Sequence, residues 1–133
     1  MDISVKTISY PVEDRAWLGS AHGTDCTESI TVATSEFTRT THYPNGAIPS
    51  GMPVALITSG DKAGLYGPYG PTETNGQQHL AGHLFSSIRV PDNGANVGAA
   101  LLWHGAIVIA RLPAGHGLGP AGIAAAPGSL RYR

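Results

Sequence analysis

Val97-Gly98-Ala99-Ala100-Leu101-Leu102-Trp103-His104-Gly105-Ala106-Ile107-Val108-Ile109-Ala110-Arg111-Leu112 is the most apolar stretch of the chain, and its reading decides the fold. It reads as two strands meeting near Gly105. Ala100, Leu102 and His104 point one way, and Ala99, Leu101 and Trp103 the other; after the glycine, Ile107, Ile109 and Arg111 alternate with Val108, Ala110 and Leu112. Both faces are largely apolar, which is the pattern of a strand covered on both sides. A buried helix is the competing reading. Against it, Ile107, Val108 and Ile109 are β-branched, and Gly98 and Gly105 would each weaken a helix by roughly 1 kcal/mol.

Working outward, the 133 residues suit one domain that buries a core of its own. With 18 glycines, 10 prolines and only 13% charged residues, the composition predicts many short strands joined by tight turns. Eight basic and nine acidic residues are spread along the chain, so nothing concentrates positive potential for nucleic acid or a membrane surface. No run of 18 apolar residues spans a bilayer, and Met1-Asp2-Ile3-Ser4-Val5 lacks the pattern of a signal peptide. A soluble product made in a cytoplasm is expected. The single cysteine, Cys26, excludes an internal disulfide.

The first forty residues are polar, with isolated apolar positions such as Ile3, Val5, Ile8 and Trp17, and read as an extended N-terminal arm (1–40). Within it, Ile30-Thr31-Val32-Ala33-Thr34 alternates like a strand that orders on pairing with another surface. The β-rich body (41–133) is expected to start at the turn Tyr43-Pro44-Asn45-Gly46. Met52 to Thr58 is a strand whose Pro53 suits its beginning or an edge, and Leu65 to Tyr69 is its hairpin partner. A polar loop over 70–78 precedes a strand from Leu80 to Val90, bent at Gly82, and Pro91 to Asn96 turns the chain back. After Leu112 comes a Gly/Ala-rich loop (114–128), read as a linker or lid, with one helical turn over Ala121–Ala126 and a last strand at Ser129–Tyr132. The fold class is therefore mainly β, a barrel- or sandwich-like body of short strands with little helix.

Motifs for chemistry fail on context. Gly117-Leu118-Gly119-Pro120-Ala121-Gly122 matches G-x-G-x-x-G, but only 11 residues follow it and none is acidic, so no cofactor site is expected. His79 and His83 would share a face of a helix for zinc; on the strand read here their nitrogens sit too far apart for one ion. His104 and His116 would need convergence that spacing does not supply, so no metal is expected. Cys26 lies in polar sequence without the rigid base and oxyanion site a nucleophile needs. The carboxylates Glu13, Asp14, Asp25, Glu28, Glu36, Asp61, Glu73 and Asp92 all sit in polar or turn contexts, and no catalytic residues are expected. Tyr66, Tyr69 and Trp103 motivate an alternative, a small β-sandwich that binds carbohydrate or a cell-surface ligand.

The order of parts is distinctive: Ile48-Pro49-Ser50-Gly51-Met52-Pro53-Val54, a Gly-rich hairpin, Ala81-Gly82-His83-Leu84-Phe85, and Trp103-His104-Gly105-Ala106-Ile107-Val108 before a Leu-Pro exit. Over about residues 30–133 this resembles the lambda D-like head decoration proteins of tailed bacteriophages. The resemblance implies a non-enzymatic virion protein, made in the bacterial host cytoplasm. It would cluster as homotrimers at threefold and quasi-threefold positions on the outside of the expanded head. The implied partner is the major capsid protein, contacted by the N-terminal segment. In this chain Ile30, Val32 and Phe37 are the expected capsid-contact residues. The longer N-terminus with Trp17 and the Gly/Ala-rich C-terminal region depart from the shortest members.

Overall fold

In the computed structural model, which describes residues 13–25 and 27–133, alternating segments close into a small barrel. Its staves are β1 (Thr27–Val32), β3 (Pro53–Leu56), β4 (Tyr66–Pro68), β5 (Gly82–Leu84) and β7 (Val97–Leu102), in the order β1-β4-β3-β5-β7. The longest seam joins β1 to β7, antiparallel from Thr27 opposite Leu102 to Val32 opposite Val97. β3 and β4 form the expected hairpin, with Pro53 at the first position of its strand, where a missing N–H does least harm. Short pairs cap the barrel: β2 (Ala47–Ile48) with β6 (Ile88–Arg89), and β8 (Gly105–Ile107) parallel to β9 (Leu130–Tyr132). The helices are single turns, α1 (Arg39–His42) and α2 (Pro120–Ala124). The protein is mainly β.

The two apolar faces of the stretch ending β7 enter two different cores. Leu101 joins Ile30, Val32, Val54, Met52 and Leu84 in the first cluster. Its neighbour Leu102 points to the opposite side, where Trp17, Ile107 and Leu130 cover the barrel wall. At Leu101 and Leu102 the wall is thus buried on both sides, while the start of β7 stays partly exposed. The covering layer comes from the two ends of the described chain. Leu18 bridges to Ile107, Val108 N–H donates to Trp17 O at 2.6 Å, and β9 lies along β8. A third cluster packs Tyr69 and Leu80 under Leu118 and α2.

Several expectations change. The first twelve residues of the expected arm and Cys26 lie outside the described residues, but from Glu13 onward the chain belongs to the body. The surfaces that order Ile30–Ala33 are the protein's own β7 and β4. Ile30, Val32 and Phe37 are buried in the first core, so their side chains are not available to contact a capsid. The body boundary at residue 41 falls for the same reason. Past Gly105 (φ +143°) the chain leaves the barrel; β8 ends at Ile107 and a 3-10 turn takes Ile109–Arg111, where a longer strand was expected. The strand expected over Leu80–Val90 is broken into β5 and β6. The 114–128 segment, expected as a linker or lid, is packed down: Gly122 lies so close to Tyr69 that a Cβ there would come within 2.4 Å of the phenol oxygen.

Candidate functional site

The conspicuous residues of the sequence gather at one buried point. Trp17, only 1% exposed, donates its indole N–H to Ser50 Oγ at 3.1 Å, and that hydroxyl donates to Phe85 O at 2.7 Å. The Trp17 ring stacks on His83 with centroids 5.7 Å apart. His83 is fully buried between two partners, Gly51 O at 2.8 Å from Nδ1 and Tyr132 Oη at 2.7 Å from Nε2. A carbonyl can only accept, so Nδ1 carries the proton and Nε2 accepts from the tyrosine hydroxyl. Burial dominates the titration of both: it pushes His83 down to about 4, against the Gly51 hydrogen bond, and pushes Tyr132 up. Gly51 has φ +92°, and a Cβ there would sit 2.7 Å from the Trp17 ring, so only glycine fits.

Through this knot the separately read motifs touch one another. Gly51 N–H donates to Leu84 O, Leu84 N–H returns to Met52 O, and Pro53 sits opposite His83 in the ladder. The third motif arrives through Trp17, whose carbonyl accepts from Val108 and whose ring packs with Ile107. Sequence reading missed both Trp17 and Tyr132. The available signal for Trp17 was its size, because so large an aromatic in a polar segment is usually covered by something.

His42, His79 and His116 are dispersed. His79 is exposed; His42 Nδ1 accepts from Thr38 N–H at 2.8 Å, and His116 Nδ1 from Leu118 N–H at 2.9 Å, with burial lowering the pKa of both rings. Among the described residues no group of three or more His, Cys, Asp or Glu could hold a metal ion. The G-x-G-x-x-G segment opens α2, which packs through Gly122 on Tyr69. The aromatic trio is not a platform: Tyr69 is buried, Tyr66 packs against the first core, and Trp103 is left exposed.

Two surface concavities are similar in size. A groove of about 370 Å³ runs between α1 and the Arg111–Ala114 segment, with Glu13 and Asp14 at its side. Both carboxylates are engaged in holding backbone: Glu13 accepts from Ser87 N–H and Oγ–H, each at 2.8 Å, and Asp14 from Ala16 N–H at 2.9 Å. The second, about 350 Å³, is a notch lined by Ser20, His22, His104, Ser129, Arg131 and Arg133 together with small residues. There the His22 and His104 rings lie 4.9 Å apart, and His104 Nδ1 is buried with no hydrogen-bond partner.

No protein-family profile, curated protein or solved structure matches this chain.

Proposed function

We propose that this chain is a non-enzymatic capsid decoration protein. It binds the outside of an expanded phage head as trimers at threefold and quasi-threefold positions, and cements neighbouring capsomers against the pressure of packed DNA. The observation that supports this reading best is the convergence on Trp17 of the motifs that carry the family resemblance. Their polar atoms satisfy one another inside the protein, so these residues build a rigid body and offer no reacting group to a substrate. A rigid, small body suits a ligand that stabilises a lattice by binding only its assembled form. Because Ile30, Val32 and Phe37 are core residues, contact with the shell falls to the outer surface. Among the described residues, Leu56 and Trp103 are the large hydrophobic side chains left exposed, at 38% and 37%.

The test is an add-back of the purified protein to expanded, undecorated capsids of the phage that encodes it. Binding that saturates at three copies per threefold position, with a raised capsid melting temperature, is the expected result. Replacing Leu56 and Trp103 together by serine should lower occupancy while the free protein keeps its own melting temperature. Capsids that take up no protein would sink the reading.

A further inference from the structure

We propose that the notch between the Ser20–Gly23 turn and β9 binds an acidic peptide segment in extended conformation, by its carboxylates. Arg131 and Arg133 are two positions apart on a strand end, so both side chains leave the same face about 7 Å apart. An extended partner with acidic residues at alternate positions repeats at that same spacing. Each guanidinium offers a planar fork of N–H donors that matches a carboxylate. His22 and His104 add imidazole donors from the facing wall.

The charge balance points the same way. The whole chain carries a formal charge of −1, yet no Asp or Glu among the described residues lines this notch. The ion pair between described residues joins Lys62 to Glu36 and uses neither arginine. His104 Nδ1 leaves an unmet hydrogen-bonding atom in the wall, and Gly23, at φ +81°, keeps the chain close beside it: a Cβ there would come within 2.6 Å of that nitrogen. Two guanidiniums at strand spacing can each take one carboxylate of an extended chain.

The experiment titrates the full chain into a fluorescein-labelled, capped Glu-Ser-Glu-Ser-Glu peptide at low ionic strength, read by anisotropy. A Lys-Ser-Lys-Ser-Lys peptide and inorganic phosphate serve as comparison probes. The acidic peptide should bind saturably, and Arg131→Ser with Arg133→Ser should weaken it at least about tenfold. Arg39→Ser with Arg89→Ser, outside the notch, should change it less than about twofold. In unmodified protein, the His22 and His104 ring protons should shift on peptide addition, a readout independent of whether any variant folds. Absence of binding, equal loss in both double variants, or phosphate competing at the same concentration as peptide would each overturn the proposal. The capsid add-back is a separate measurement, so failure here leaves the decoration reading standing and the reverse also holds.

Discussion

Two sites that each centre on a histidine, His83 in the knot and His104 in the notch, are opposites. In the knot, His83 is buried with both ring nitrogens bonded and its ring stacked on Trp17. In the notch, His104 touches His22 and leaves Nδ1 unpartnered beside two arginines. The first spends its polarity on holding three parts of the chain together. The second leaves its polarity unspent. A histidine's role is therefore set by what surrounds it: satisfied nitrogens in a dry core make a structural bolt, whereas a ring beside two arginines lines a basic concavity.

The sharpest way to break the comparison is Trp17→Ala, which empties the knot and should cost about 3–5 kcal/mol in urea unfolding. A loss below about 1 kcal/mol would mean the knot is not what holds the ends to the barrel. His83→Leu comes next. It strands the Gly51 carbonyl and the Tyr132 hydroxyl, and a destabilisation of about 2–3 kcal/mol is expected, against almost none if water replaces the ring's bonds.

The same residue predicts a pH dependence whose sign is fixed by its lowered pKa. The folded state keeps His83 neutral down to about 4, whereas the unfolded chain takes up that proton near 6.5. Stability from this group is fully present above pH 6.5 and falls as the pH drops toward 4, by at most about 1.4 kcal/mol per pH unit. His42 and His116, also lowered, add to the slope in the same direction. Unfolding curves at pH 7, 5.5 and 4.5 should show the decline, and His83→Leu should flatten it; an unchanged slope in that variant would assign the effect elsewhere.

Smaller effects sharpen the contrast. Tyr132→Phe removes one hydrogen bond from the knot and should cost about 1 kcal/mol. His104→Ala, which has no bond at Nδ1 to lose, should cost less than Tyr132→Phe by calorimetry. A larger loss for His104 would show that the notch is structural too.

Much of this was legible in the sequence, for definite reasons. The β-branched run and the glycines near Gly105 excluded a helix, and Pro53, Asn45-Gly46 and the Pro91–Asn96 turn marked where strands begin and end. What stayed hidden was partnership. Ile30 and Val32 alternate in a way that demands a neighbouring strand, but alternation does not name the neighbour, and an external shell fits the pattern as well as β7 does. Trp17 and Tyr132 were illegible as partners because nearly the whole chain separates them, and His83 and His104 look alike until burial tells them apart.

The covering layer on the outer wall joins Trp17 to β8 and β9, which lie near the two ends of the described residues. During synthesis Trp17 leaves the ribosome early and waits for Leu130 and Tyr132. Until they emerge, the outward sides of Leu102 and Ile107 stay wet. The cooperative unit is thus completed only once β9 has emerged, and contacts of such long range make for slow closure. A polypeptide cut before Leu130 would display this apolar wall to every neighbour, whereas one that reaches Tyr132 seals it in a single step.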